Sequence, residues 1–305
     1  MKSGRNKTIN ISLEDSKELF ERAECPKGKI NKETAENLFV HGDFFEVVSR
    51  IEDGIFDLVI ADPPYNLTKD YGGDIFRKTD RESYTEFTRL WLSEVYRVMT
   101  DGATLYVCCD WQTSIIIANI LPEFFTVRNR ITWQREKGRG AKRNWKNSME
   151  DIWFCTKGEN YTFNLNAVKV QRQVLAPYRE NGRPKDWNEG ENGNTRLTCP
   201  SNFWDDITVP FWSMSENTAH PTQKPEKLIA KLILASSDKN DFVFDPFGGS
   251  GTTAVTAKKL RRKYFSVEKN KQYCVWAQER LRRADTDKRI QGYEDGIFLH
   301  RNAKK

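Results

Sequence analysis

The chain lacks the signatures of several common protein classes. No stretch reaches the ~20 apolar residues that a membrane-spanning helix needs, and the run Ile115-Ile116-Ile117-Ala118 ends at Asn119. The opening stretch Met1 to Phe20 alternates charge and polarity and has no apolar core of the secretory-signal kind, so a cytoplasmic protein is expected. The six cysteines are Cys25, Cys108, Cys109, Cys155, Cys199 and Cys274, and no two form a CxxC pair. That spacing argues against a zinc knuckle or a thioredoxin-like site, and reduced, mostly buried thiols are expected. No GxxxxGK[ST] loop is present, because no lysine follows Gly251, which counts against a phosphate-loop ATPase or helicase. HxE and PCxxC are absent too, which excludes a zinc deaminase. No metal is expected.

What is present fits a soluble globular chain. Of 305 residues, 38% are hydrophobic and 30% charged, enough for a real core in one large domain or two ordinary ones. The net charge is +6, unevenly placed. The fourteen residues Gln134 to Asn147 hold Arg135, Lys137, Arg139, Lys142, Arg143 and Lys146 against Glu136 alone, a local net of +5. A polyanionic partner is one reading of such a segment and a solvated loop is the other.

Strand-like and helix-like segments alternate. Phe56 to Ala61 is apolar apart from Asp57, as expected of a parallel strand covered on both faces. Arg81 to Met99 places Tyr84, Phe87, Leu90, Trp91, Val95 and Val98 on one face of a helix. Strands are expected at Leu38 to Val40, Ala103 to Cys109, Phe125 to Trp133, Asp151 to Cys155, Asp241 to Phe244 and Tyr264 to Val267. Helices are expected at Asp15 to Glu24, Gln112 to Leu121, Pro225 to Ser236, Ser250 to Leu260 and Asn270 to Arg283. Between Lys157 and Thr218 periodicity fades, and Asn, Gly, Pro and Trp become frequent. The alternation implies an α/β fold with a mainly parallel sheet interrupted by an irregular insert.

Two segments carry chemistry. Asp62-Pro63-Pro64-Tyr65 directly follows the buried Phe56 to Ala61 strand, where ligands of open α/β sheets bind. Paired prolines stiffen the backbone and keep their carbonyl acceptors. Asp62 adds a carboxylate and Tyr65 an aromatic face, a set suited to a flat ligand bearing an amine. The second segment, Asp245-Pro246-Phe247-Gly248-Gly249-Ser250-Gly251-Thr252, joins a strand to a helix. Its glycines permit close backbone approach, and the helix start favours an anionic group. Glu268 ends the next strand, where an acid can bind ribose hydroxyls. Together these point to a nucleoside-bearing cofactor.

In combination, Asp62-Pro63-Pro64-Tyr65 and Phe247-Gly248-Gly249-Ser250-Gly251 resemble the S-adenosylmethionine-dependent amino-methyltransferases of DNA. The tetrapeptide precedes the glycine loop, with the insert between them, and that order is similar to the beta class, a circularly permuted Rossmann-like methyltransferase fold with helices on both faces of its sheet. His41-Gly42-Asp43, His220-Pro221-Thr222-Gln223-Lys224-Pro225 and Ser148-Met149-Glu150-Asp151-Ile152-Trp153 resemble further segments of the family, the last usually with His before Glu. The likeness runs from about Leu38 to Leu281.

The resemblance implies methyl transfer from S-adenosylmethionine to an exocyclic amine of a base flipped from duplex DNA, by direct displacement. Asp62, Pro63, Pro64 and Tyr65 would be catalytic. Cofactor binding falls to Asp43 at the adenine amine, Glu268 at the ribose, Thr222 and Lys224 beside the methionine carboxylate, and Asp245, Phe247, Gly249, Ser250, Gly251 and Thr252 along the glycine loop. Asp at the first tetrapeptide position goes mostly with adenine N6 and Ser with cytosine N4, so adenine is expected, with cytosine N4 and a non-catalytic DNA-binding subunit as alternatives. Cytosine carbon methylation needs a cysteine nucleophile, and the Pro-Cys dipeptide of those enzymes does not occur. DNA contacts are expected from Lys137, Arg139, Lys142 and Arg143 in the basic segment and from Arg172, Arg183 and Arg196 in the insert. The expected partner is double-stranded DNA. A cognate restriction endonuclease on the same site and a homodimer are open to such an enzyme. The expected division is an N-terminal arm (1–37), a catalytic half (38–157), a target-recognition insert (158–218), a cofactor-binding half (219–284) and a C-terminal tail (285–305).

Overall fold

A computed structural model of the chain describes residues 5–70, 75–135, 142–174, 178–189 and 193–300. Its centre is an eight-stranded sheet: β1 (Leu38–His41), β2 (Phe56–Ala61), β3 (Met99–Cys109), β4 (Thr126–Gln134), β5 (Met149–Thr156), β6 (Phe203–Trp204), β7 (Phe242–Asp245) and β8 (Lys263–Glu268). The spatial order is β1-β8-β7-β2-β3-β5-β4-β6. All neighbours pair in parallel except β5, which runs antiparallel to both β3 and β4.

Helices cover both faces. They are α1 (Lys17–Glu21), α2 (Phe44–Val48), α3 (Arg81–Val98), α4 (Trp111–Ile120), α5 (Glu226–Ser236), α6 (Thr252–Lys259) and α7 (Lys271–Arg283). The apolar run of β2 splits between two cores. Val59 and Ala61 pack with Trp91, Val95 and Ile117 of α3 and α4. Leu58 and Ile60 pack with Leu228, Val255 and Cys274 of α5, α6 and α7. Burial on both faces is why Leu58 to Ala61 are all apolar rather than alternating, while Asp57 accepts from Phe242 N at 2.9 Å. Phe56 stacks on Phe244 of β7 at 4.5 Å between ring centroids, which locks the two chemistry-bearing strands side by side.

Two expected boundaries move. The tail after Ala284 is not a separate appendage. Strands at Tyr293–Glu294 and Ile297–Leu299 complete a four-stranded sheet with Val170–Gln173 and Thr195–Thr198 of the insert, and Phe298 of the tail is fully buried. The insert also lends β6 to the edge of the main sheet beside β4. At the other end, the N-terminal arm packs on α7: Ile9 is buried against Tyr273 and Trp276, and the Ile11 carbonyl accepts from Trp276 Nε1 at 3.0 Å. The helix expected at Asp15 to Glu24 is a 3-10 turn at Glu14–Ser16 followed by α1.

Candidate active site

A cavity of about 450 Å³ opens at the carboxyl ends of β2, β7 and β8 and brings the two sequence segments together. Asp62 to Tyr65 leave the end of β2 and line it, as do Asp245 to Ser250 from the end of β7 and Glu268 from the end of β8. Thr222 and Lys224, before α5, and Asp43, before α2, complete the wall. The parallel strand directions put all these loops at one edge.

The Asp62 to Tyr65 tetrapeptide is anchored at both sides. Tyr84 Oη of α3 donates to the Pro64 carbonyl at 3.0 Å. Asn66 clamps the following segment by accepting from Thr79 N at 2.9 Å and donating to Thr79 O at 3.0 Å. That clamp sets Leu67, Lys69, Ile75 and Phe76 as the outer wall of the cavity.

Asp62 sits in a charge cluster drawn from four chain segments. Lys224 Nζ lies 2.6 Å from Asp62 Oδ2, and Tyr65 Oη donates to Asp62 Oδ1 at 2.9 Å. Glu150, the second residue of β5, reaches in from the sheet. Its Oε2 stands 3.3 Å from Lys224 Nζ and 3.3 Å from Tyr65 Oη, and its Oε1 is 2.5 Å from Arg135 Nη1. Two cations therefore face two carboxylates, the arrangement that makes buried charge tolerable. Burial alone would lower the Lys224 ammonium, but the nearby Asp62 and Glu150 carboxylates outweigh it and hold its pKa above the ordinary value. Burial, then Asp62 and Glu150, push the Tyr65 phenol well up, so it remains a donor.

The glycine loop is shaped by backbone contacts. Gly249 and Gly251 adopt φ of +51° and +79°, a region that disfavours side chains. A Cβ on Gly251 would come within 2.7 Å of Ala277 Cβ on α7. Gly249 N donates to Glu268 Oε2 at 2.7 Å, and Asn270 N donates to Glu268 Oε1 at 2.6 Å. Glu268 thus holds the loop as well as facing the cavity. Asp43 Oδ1 caps α2 through Phe45 N at 3.0 Å, and its Oδ2 lies 3.3 Å from Lys269 Nζ. Phe247 packs edge-on against Trp91, with ring centroids 5.7 Å apart.

Other expected cofactor residues hold the scaffold. Thr252 Oγ1 donates to the Lys224 carbonyl at 3.1 Å and accepts from Arg280 Nη1 at 2.9 Å, tying the glycine loop to the Lys224 segment. Arg280 Nη1 also donates to the Ser250 carbonyl at 2.8 Å. Asp245 is buried and accepts from Phe247 N at 3.0 Å; burial pushes its carboxyl up to about 7. Thr222 N meets His220 Nδ1 at 3.3 Å. His220 stands edge-on to Tyr273, and burial together with the Lys224 charge lowers its imidazole to about 3, so it is neutral.

The residues fit a nucleoside-bearing cofactor with a zwitterionic tail. The loop before α6 brings glycine backbone to the wall, Glu268 and Asp43 offer acceptors, and Lys224 offers a cation. Phe44, Phe45 and Phe247 supply apolar surface for a flat ring.

The DNA-contact expectations divide. Lys137 and Arg139 lie outside the described residues. Lys142 and Arg143 are exposed on the β4–β5 connection, and Arg183 is exposed on the insert. Arg196 is exposed but pairs with Asp186 at 3.1 Å. Arg172 is partly enclosed, with its Nε buried. Of the insert's tryptophans, Trp187 and Trp204 are buried, Trp204 in the core of the main sheet, and Trp212 is exposed. Sequence reading missed Glu150 and Arg135 as site residues. The signal was present, since Glu150 stands in a family-like segment, but only the β4–β5 pairing of Trp133 with Glu150 carries it toward the pocket.

Comparison with known proteins shows the family. A family model described as DNA methylase, of the N6/N4 type, matches residues 56–279. The chain is 35% identical over 239 residues to the type II methyltransferase M.HpaI of Haemophilus parainfluenzae, covering 77% of this chain and 71% of that protein. It is 32% identical over 249 residues to the DNA adenine methyltransferase YhdJ of Escherichia coli K12, covering 79% of this chain and 81% of that one. Among solved structures, the cytosine-N4-specific PvuII DNA methyltransferase shares the fold with a TM-score of 0.58 at 19% identity, over 79% of this chain and 84% of that one.

Proposed function

The chain belongs to the N6/N4 DNA methylase family, and from that premise we propose that it methylates the N6 amine of adenine in duplex DNA, using S-adenosylmethionine. The observation that carries this is the convergence of Asp62 to Tyr65 and the glycine loop on one cavity. The relative named as an adenine methyltransferase supports adenine over cytosine, as does aspartate at the head of the tetrapeptide.

The cofactor supplies an electrophilic methyl group on a sulfonium. The chain's own residues do the rest. An exocyclic amine is a weak nucleophile because its lone pair is delocalised into the ring. Asp62 and the Pro63 carbonyl accept its N–H bonds and return electron density to nitrogen. Asp62 also takes the proton that nitrogen gives up once the new N–C bond has formed. Tyr65 offers its face to a base rotated out of the duplex. Asp43 and Glu268 bind the nucleoside, Lys224 meets the carboxylate, and the loop before α6 lets the methionine portion approach closely. The exposed Lys142 and Arg143 engage phosphates, and the insert, with Arg183, reads base edges.

Kinship with a type II methyltransferase supports a place in a restriction–modification system, with an endonuclease sharing the site and the cytoplasm as its location. No helix among the described residues is long and apolar enough to cross a membrane. The test is tritium transfer from labelled S-adenosylmethionine to duplex DNA, followed by nucleoside analysis. Label in N6-methyladenine is expected. Label in N4-methylcytosine, or none in DNA, contradicts the proposal.

A further inference from the structure

Glu150 is only 3% exposed, yet it carries none of the roles above. Its Oε2 lies 3.3 Å from Lys224 Nζ and 3.3 Å from Tyr65 Oη. Those two groups are also the donors on Asp62, Lys224 Nζ at 2.6 Å from Oδ2 and Tyr65 Oη at 2.9 Å from Oδ1. Each oxygen of Asp62 is therefore engaged by a donor whose second acceptor is the same carboxylate.

Each Asp62 oxygen keeps a second lone pair, but a target amine that donates there competes with these donors for the same charge, and it is accepted best as they turn toward Glu150. Leaving a buried ammonium without a partner is costly. A Lys224 that loosens its hold on Asp62 therefore needs other anions, and beside the cofactor carboxylate assigned to it above, Glu150 is the one the chain itself holds within reach, 3.3 Å away. Arg135 fixes that anion in place. It holds Glu150 Oε1 through Nη1 at 2.5 Å, and its backbone N donates to the Ser148 carbonyl at 2.6 Å, so the ends of β4 and β5 aim Glu150 at the pocket.

We infer that Glu150 is a positioning residue for methyl transfer, receiving the Lys224 ammonium and the Tyr65 hydroxyl as the target amine engages Asp62. The inference rests on the methyltransferase reading. Its consequence is that Glu150 acts through Lys224 and Tyr65 on the availability of Asp62, and touches neither cofactor nor base. The substitution Glu150→Gln keeps the shape and removes the charge. Of the two protein carboxylates on Lys224, only Asp62 then remains charged, and the tighter Lys224–Asp62 pair competes with the amine.

The experiment is a double-mutant cycle on the full chain. Single-turnover transfer from tritiated S-adenosylmethionine to duplex DNA is measured with both saturating, beside cofactor affinity by calorimetry. Loss of a charged hydrogen-bond partner predicts that Glu150→Gln slows transfer by about tenfold or more, with cofactor affinity unchanged. In a Lys224→Met background, where no ammonium has to be received, the same substitution should cost much less. Additive defects, or a wild-type rate in Glu150→Gln, overturn the inference. Should Glu150→Gln fail to fold because Arg135 is left facing a neutral amide, the cycle is run in an Arg135→Gln background with the same two outcomes. A wild-type chain that transfers no methyl group to DNA would instead sink the proposed function, so the two failures are told apart.

Discussion

Lys224 Nζ and Asp62 Oδ2 stand 2.6 Å apart although 162 residues separate them in the chain. The contact joins the end of β2 to the segment before α5, and so joins the proposed amine acceptor to the cation proposed to meet the cofactor carboxylate. The two halves of the reaction meet at one ion pair.

The glycine loop gives a first prediction. Glu268→Ala removes an acceptor facing the cavity and the anchor of Gly249 N. Loss of a charged hydrogen bond of about 1.5–3 kcal/mol should weaken S-adenosylmethionine binding about tenfold or more. Gly249→Val should weaken it too, because φ is +51° and an added Cβ would lie 3.2 Å from His220 Nε2. Calorimetric titration measures both, and unchanged affinities would show that the cofactor lies elsewhere.

DNA contacts should separate by segment. Neutralising the exposed Lys142 and Arg143 should weaken binding to every sequence and flatten the salt dependence by a slope of roughly 0.9 per lost phosphate contact. Replacing Arg183 on the insert should cost about 1–3 kcal/mol at one base position and relax specificity there. Binding titrations on cognate and scrambled duplexes at two salt concentrations measure both effects. Altered sequence preference in the Lys142 and Arg143 variants alone would reverse the assignment.

Burial raises the Asp245 carboxyl to about 7 in the folded protein. A carboxyl whose folded pKa lies above its unfolded value favours folding most while protonated. Its contribution therefore falls as pH rises from the ordinary aspartate range through about 7. Asp245→Asn stays neutral and keeps an oxygen for Phe247 N. Urea unfolding at pH 5 and pH 8 should show the variant gaining on the wild type at the higher pH. A stability difference independent of pH would contradict the assignment.

The buried tail gives a stability test. Phe298 is fully buried in the core shared by the insert sheet and α5. Phe298→Ala should destabilise by about 3–5 kcal/mol, measured by urea unfolding. An effect near zero would mean that the tail does not belong to that core.

The parts of the site that are local were legible in the sequence. Leu58 to Ala61 is apolar on both faces, and the loop after Phe244 is rich in glycine, so the residue pattern alone places both strand ends. Asp62 and Glu268 meet in one cavity because parallel strands deliver their carboxyl ends to the same edge, and Lys224 joins them from the segment before α5, held by Thr252 Oγ1 on its carbonyl. Glu150 could not be placed that way. It reaches the pocket through the antiparallel β5, whose register with β4 is a long-range property. The strands around Phe298 are two and three residues long, too short for periodicity to show. The insert's frequent tryptophans include the buried Trp187 and Trp204 and the exposed Trp212, a distinction that depends on tertiary packing.

The most direct test of the account is single-molecule sequencing of DNA from a host lacking other methyltransferases, expressing either this chain or its Asp62→Ala variant. The account predicts N6-methyladenine in one short sequence context with the wild type and none with the variant, while the purified variant still binds S-adenosylmethionine. N4-methylcytosine in that context, or methylation that persists in the Asp62→Ala strain, would contradict it.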